Sequence, residues 1–122
     1  MNIKALKRCN SSVSLGNHGE KFAVNLLGGK ILYHAGHDID HPTLGKIEVK
    51  TSYIGNNGTF QFCLRKADKY GQTDVKHADY LVLVCLSIYG DKVYLIPSKD
   101  VPSGKKLSLS VNSKRFAQFR IL

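Results

Sequence analysis

The segment Ile47-Glu48-Val49-Lys50 alternates apolar and charged side chains. This alternation is typical of a β-strand with one buried face, because successive side chains of a strand point to opposite faces. Ile47 and Val49 are therefore expected to pack into a core, while Glu48 and Lys50 project together from the other face. The segment predicts a strand that carries a carboxylate and an ammonium group side by side.

A second acidic segment lies just upstream of this strand. Asp38 and Asp40 are separated by one apolar residue, so their carboxylates share a face if the chain is extended there. Residues 41–45 contain a proline and a glycine, which favour a turn. Residues 37–40 and 46–52 are accordingly predicted to form a hairpin that brings the two acidic segments together.

Size and charge narrow the class of protein. The chain has 122 residues, of which 43% are hydrophobic, and this suits a single globular domain over residues 1–122. Lys and Arg outnumber Asp and Glu by 18 to 9, which gives a net charge of +9. Nucleic acid is the partner that such a charge favours, through contacts with phosphates. The alternative is a basic surface that only keeps the protein soluble.

The number of cysteines and the hydropathy pattern indicate the cellular compartment. Cys9, Cys63 and Cys85 are odd in number and widely spaced, which argues against a disulfide framework and a zinc knuckle. The longest apolar run, residues 80–88, is too short to cross a bilayer, and no signal peptide is visible. A reducing intracellular (cytoplasmic) location without a membrane partner is expected.

The remaining pattern predicts an α/β (α+β) domain with a mixed central sheet flanked by helices. Residues 15–27 have helical periodicity and end at two glycines. Strands are expected at residues 30–34, 59–64, 79–86, 92–96 and 107–111, of which 79–86 is apolar enough to be buried on both faces. A closing helix is expected at 113–119. Residues 65–77 are polar and basic, which fits a short helix or a mobile loop whose lysines and tyrosine contact phosphate.

Glu20 is the unusual residue of the first predicted helix. It precedes Ala23 by three positions and Leu27 by seven, so it shares their inward stripe. A charge on the buried side of a helix needs a partner, which here is a metal ion or a basic group. The alternative is a solvated glutamate near the helix start, where the helix dipole favours negative charge.

The hairpin carries the groups that phosphodiester hydrolysis needs. Mg²⁺ is usually held by one or two carboxylates plus substrate phosphate, and Glu48 with Asp38 or Asp40 would supply them. The main-chain carbonyl of Val49 is a further candidate ligand. Lys50 would stabilise the developing negative charge or help to deprotonate the attacking water. The alternative is an exposed hairpin whose Glu and Lys form surface pairs.

With these residues in this order, the sequence resembles the PD-(D/E)XK nuclease superfamily, whose fold is the restriction-endonuclease-like core. The matching segments, within residues 15–97, are Gly19-Glu20, Asp38-Ile39-Asp40, Glu48-Val49-Lys50-Thr51-Ser52, residues 78–84 and residues 93–97. The last two resemble strands of the resolvase-like and the intron-associated (homing) members. No proline precedes the candidate aspartate, since His37 stands before Asp38. Asp38 is favoured because an apolar residue follows it, whereas Asp40 lies nearer the turn and hence Glu48, so both are retained.

The resemblance implies Mg²⁺-dependent cleavage of duplex or branched DNA by a homodimer, leaving 5′-phosphate ends, with Mn²⁺ as a substitute metal. It implies that Glu20 joins the metal site and that Gln61, on the next strand, lines it. The compact chain, without a separate recognition domain, favours a structure-selective endonuclease such as a Holliday-junction resolvase. The alternatives are a site-specific endonuclease of homing or restriction type and a catalytically inactive DNA-binding module.

Overall fold

The structure is a computed structural model that describes residues 12–32, 38–68, 71–74 and 78–122, with only the backbone described for 12–14, 65–68 and 71–74. Its elements are α1 (Ser12–Leu27), β1 (Lys30–Ile31), β2 (Ile39–His41), β3 (Gly45–Tyr53), β4 (Thr59–Cys63), β5 (Arg65–Asp68), β6 (Gly71–Asp74), β7 (Tyr80–Leu86), β8 (Lys92–Pro97), a 3₁₀ turn (Ser98–Asp100), β9 (Lys106–Ser110) and a second 3₁₀ turn (Ala117–Phe119). None of the helices in these ranges is long and apolar enough to cross a membrane.

A five-stranded mixed sheet with the order β1-β2-β3-β7-β8 forms the centre of the fold. Strands β3 and β7 run parallel, and the other neighbours are antiparallel. Strand β7 is buried on both faces from Leu81 to Leu86, as its continuous apolar run predicted. The predicted hairpin of residues 37–40 and 46–52 is present as β2 and β3, and the α+β class with a mixed central sheet is confirmed.

Two apolar cores lie on opposite faces of this sheet, because β7 contributes alternate side chains to each. Leu81 and Leu83 pack with β4 and β9 on one face. Val82 and Val84 pack on the other face, with Ala23 of α1. All five side chains have no exposed surface, and full burial of each aliphatic one contributes roughly 1.5–3 kcal/mol. The helix is thereby held across one face of β3 and β7.

Three predicted elements differ from the structure. Strands β4 and β9 form at the expected places but pair with each other in a separate two-stranded sheet. Residues 65–77, expected to be a short helix or loop, include the antiparallel pair β5 and β6, whereas residues 69–70 and 75–77 lie outside the described ranges. The closing helix predicted at 113–119 is only the 3₁₀ turn Ala117–Phe119, because Phe116 has a φ of +64°, in the left-handed region.

The turn between β2 and β3 fixes the register of the hairpin. Gly45 has a φ of +84°, a conformation that glycine adopts without strain. The carboxylate of Asp79 lies against Gly45, where a Cβ would collide with its Oδ2 atom. The same oxygen accepts a hydrogen bond of 2.9 Å from the Lys46 main-chain amide. With the turn held in this way, Ile39 pairs with Ile47 and Asp40 with Lys46.

Candidate functional site

The site lies beside Asp38, which directly precedes β2, at the edge of the longer strand β3. The Asp38 amide donates a hydrogen bond of 3.0 Å to the Ile47 carbonyl, which is the last main-chain bond of this kind on that side of the hairpin within the described residues. The Oδ2 atom of Asp38 then accepts a bond of 2.8 Å from the Val49 amide. The Asp38 side chain thus accepts the hydrogen bond that the main chain of a longer β2 would accept from β3. This hydrogen bond fixes the Asp38 carboxylate at the point where β3 no longer has β2 as its paired neighbour.

Glu48 and Lys50 project together from one face of β3. Their neighbours Ile47 and Val49 are buried, as the alternation predicted. The Lys50 ammonium lies 3.7 Å from Oε1 of Glu48, and the two side chains are 27% and 19% exposed, respectively. An ammonium group and a carboxylate are therefore held close together at the edge of a half-buried cleft.

Glu20 reaches the same place from α1. Burial raises the pKa of Glu20 to about 7, and the charge of Asp38 and a hydrogen bond with it add to the increase. Burial also raises the pKa of Glu48 to about 7, again with a contribution from Asp38, while the charge of Lys50 acts in the opposite direction. Asp38 is therefore flanked by a carboxyl group on each side, and this crowding of acids favours the binding of a cation.

These side chains line one cleft of about 510 Å³. It brings together six of the residues singled out from the sequence, namely Glu20, Asp38, Glu48, Val49, Lys50 and Gln61. Gln61 lies on β4, and its main-chain amide donates a bond of 3.2 Å to Ser52 Oγ on β3. Ser52 in turn donates to the Tyr53 carbonyl at 3.0 Å. Strand β4 therefore forms the wall of the cleft that faces Glu48 and Lys50.

Asp40 is not brought to the cleft. Its side chain is exposed, and the residue pairs with Lys46 at the turn end of the hairpin. The expectation that Asp40 lies closer to Glu48 than Asp38 does is wrong. The register that pairs Ile39 with Ile47 makes Asp38 the aspartate that faces Glu48. Of the two retained candidates, the geometry therefore selects Asp38.

Gly19 and Thr51 stand in the matching segments of the sequence, but sequence reasoning missed the contact between them. A Cβ at Gly19 would overlap Oγ1 of Thr51, so helix and strand are in direct contact at this point. Thr51 lines the cleft, and its hydroxyl is buried without a hydrogen-bond partner among the described residues. Glycine within a helix is costly relative to alanine, and this was the one signal in the sequence that could have indicated a close approach.

The carboxylates of the cleft determine whether it can hold a hard divalent cation. No group of three or more His, Cys, Asp or Glu side chains in the described ranges is arranged to hold an ion by itself. Mg²⁺, however, keeps several waters and takes only one or two carboxylates from a protein together with substrate phosphates. Asp38 with Glu48 or Glu20 meets that requirement, since all three are oxygen donors lining one cleft. The residues present therefore fit such an ion.

A comparison with solved structures finds the same architecture in a bacterial homing endonuclease, I-Ssp6803I, with a TM-score of 0.64, 16% sequence identity, and coverage of 90% of this chain and 88% of that chain. No protein-family model matches the sequence. A comparison with curated proteins also finds no match. At this low identity the likeness shows the fold alone, and it confirms the predicted endonuclease-like core.

Proposed function

We propose that this protein is a metal-dependent DNA endonuclease. The observation that carries the proposal is the convergence of Glu20, Asp38, Glu48 and Lys50 on one cleft at the open edge of β3. Glu20 comes from α1, Asp38 directly precedes β2, and Glu48 and Lys50 lie on β3, so their convergence is a product of the fold. The likeness to an endonuclease and the net charge of +9 support the same assignment.

Asp38 with Glu48 or Glu20 would hold Mg²⁺ or Mn²⁺, with the Val49 carbonyl as a further ligand. When bound, the ion would polarise the phosphoryl oxygen and lower the pKa of a water nucleophile. The hydrogen bond from the Val49 amide keeps Asp38 in a fixed orientation at 2.8 Å. A preoriented carboxylate does not have to be reordered when substrate binds, and this lowers the cost of reaching the transition state.

Lys50 would act on the phosphate itself. Its ammonium is held 3.7 Å from Glu48 and is only 27% exposed, so its charge is less screened than that of a surface lysine. It would stabilise the negative charge that develops at phosphorus, or help to deprotonate the attacking water. Gln61, on the opposite wall, would donate hydrogen bonds to a nonbridging oxygen.

The substrate is proposed to be duplex or branched DNA. A structure-selective enzyme, such as one that resolves four-way junctions, is one form of this activity. The homing endonuclease neighbour instead favours site-specific cleavage of a duplex. The described residues form one such cleft, so cutting both strands would require two copies related by a two-fold axis.

The test is cleavage of supercoiled plasmid and of a synthetic four-way junction, each with Mg²⁺ and with EDTA. Lys50→Ala is paired with Lys46→Ala, which removes the same charge from the same strand at an exposed position outside the cleft. Lys50→Ala and Glu48→Ala are expected to lower the cleavage rate at least about 100-fold, whereas Lys46→Ala retains it. Equal rates for Lys50→Ala and Lys46→Ala would overturn the site. DNA binding without cleavage under all conditions would identify an inactive binding module.

A further inference from the structure

We propose that Gly19 is a positioning residue, because its missing side chain allows α1 to lie directly on Thr51 of β3 and so places Glu20 beside Asp38. The inference rests on the proposed metal site and concerns how the fold assembles it. It follows from one contact between α1 and β3. The residues of this contact are the sequence neighbours of Glu20 and Lys50.

The contact leaves no space for a side chain. A Cβ at Gly19 would overlap Thr51 Oγ1, and it would lie 2.9 Å from Thr51 Cβ and 3.2 Å from Cγ2. Carbon atoms in van der Waals contact are about 3.5–4.0 Å apart. Thr51 is branched at Cβ, and its strand pairs with β7 from residue 47 to residue 53. The side chain therefore has little freedom to turn away from the helix. Any larger residue at position 19 must therefore push α1 away from β3.

A shift of α1 away from β3 would move Glu20 within the site. Gly19 precedes Glu20 directly, and Thr51 follows Lys50 directly. The contact thus sets how far Glu20 is from the edge of β3, where it meets Asp38. Geometric tolerance at metal and catalytic sites is about 0.5 Å, which is less than the shift that a methyl group would require.

The hydroxyl of Thr51 has no part in this proposal. It is buried without a hydrogen-bond partner among the described residues, so it stabilises nothing there by bonding. Thr51→Ala removes the unpaired oxygen without adding an atom against Gly19, so it is expected to preserve the position of Glu20. This separates a steric role of the contact from a polar one.

Gly16 provides a matched control on the same helix. It also lines the cleft, but a Cβ there meets no described atom within 4 Å. Gly16→Ala and Gly19→Ala gain the same helix propensity, about 1 kcal/mol each. They differ only in the collision with Thr51.

The experiment measures Mn²⁺ affinity by calorimetry for the wild type, Gly16→Ala, Gly19→Ala and Thr51→Ala, each also with Glu20→Gln. Gly19→Ala is expected to weaken Mn²⁺ binding roughly 10- to 100-fold, the range seen when the support of a metal ligand is lost. Gly16→Ala and Thr51→Ala are expected to bind Mn²⁺ as the wild type does, because neither adds an atom at the contact between α1 and β3. In the Glu20→Gln background the effect of Gly19→Ala should be much smaller, because the carboxylate that would be displaced is absent.

Unchanged affinity in Gly19→Ala, or an equal loss with and without Glu20, would overturn the proposal. If Gly19→Ala fails to fold, Gly19→Ala with Thr51→Gly removes all three colliding atoms and is measured instead. Recovery of fold and affinity supports the proposal, and failure to recover either one overturns it. Residual dipolar couplings of the metal-free proteins report the tilt of α1 against β3 directly. A wild type that binds no Mn²⁺ would end the proposed metal site, while these couplings still show whether Gly19→Ala displaces the helix.

Discussion

The Oδ2 atom of Asp38 accepts a 2.8 Å hydrogen bond from the Val49 main-chain amide, so a carboxylate of the candidate site also completes the edge of the central sheet. The Val49 amide binds one carboxylate oxygen, and the same side chain lines the cleft beside Glu20 and Glu48. A substitution at Asp38 should therefore affect activity and stability in ways that can be separated.

Asp38→Asn and Asp38→Ala are expected to abolish cleavage equally, since both remove the negative charge. They should differ in stability, because asparagine keeps an acceptor for the Val49 amide and alanine leaves that amide without one. The free energy of unfolding of the alanine variant should be about 1 kcal/mol lower than that of the asparagine variant. Urea denaturation without metal measures this difference. Asp40→Asn is the control and should retain cleavage, because Asp40 is exposed and outside the cleft. Equal stability of the two Asp38 variants would contradict the structural role.

Glu48 should make the metal-free protein less stable as pH rises. Its pKa is about 7 in the folded state against an ordinary 4.5, with burial as the main cause and Asp38 as the second. The unfolded chain therefore releases this proton first, and the stability that the protonated group provides is lost as pH rises from about 4.5 to 7.

Glu48→Gln mimics the protonated group at every pH. It should be as stable as the wild type at pH 4, and more stable at pH 8 by on the order of 1 kcal/mol. The measurement is urea denaturation in EDTA across this range. Mg²⁺ should reverse the ranking at pH 8, because only the wild type keeps this carboxylate for binding the ion. A stability difference that does not change with pH would show that burial and Asp38 do not raise the pKa of Glu48 in the folded protein.

Thiol reactivity should distinguish two cysteines by their place in the fold. Cys85 is 1% exposed, and burial raises the pKa of its thiol to about 12, so it should not react in the folded state. Cys63 is exposed and lines the cleft. In a Cys9→Ser background, a maleimide should label one thiol in the native protein and two after unfolding, as counted by mass spectrometry. Bulky labelling of Cys63 should block cleavage, whereas Cys63→Ser should retain it. Rapid native labelling of Cys85 would contradict the placement of β7 in the core.

Alternation and motif order were enough to predict the central hairpin, the buried strand β7 and the cluster of acids with Lys50. They could not choose between Asp38 and Asp40, because both lie on one face and only the register decides which faces Glu48. That register depends on the contact between Gly45 and Asp79, which are 34 positions apart in the sequence. Local patterns hold no information about such a contact.

The remaining differences have similar causes. Alternation in β4 shows that Phe60 and Phe62 face a core, but it does not identify β9 as the partner. Residues 65–68 and 71–74 pair through main-chain bonds, and their polar sequence gives no alternating signal. The left-handed backbone at Phe116 ends the expected helix, and no glycine or asparagine at that position indicates it.

Gly45→Ala should be more destabilising than Gly58→Ala, although both replace a glycine of similar positive φ, +84° and +76°. At Gly58 a Cβ meets no described atom within 4 Å, so only backbone strain of about 1 kcal/mol is expected. At Gly45 the Cβ collides with Asp79 and displaces the acceptor of the Lys46 amide, which adds roughly 1–3 kcal/mol. Thermal unfolding of both variants measures the difference. Asp79→Ala combined with Gly45→Ala should recover the part due to collision. Equal melting temperatures for the two glycine variants would show that Asp79 does not hold the turn, and hence that it does not set the register that brings Asp38 to Glu48.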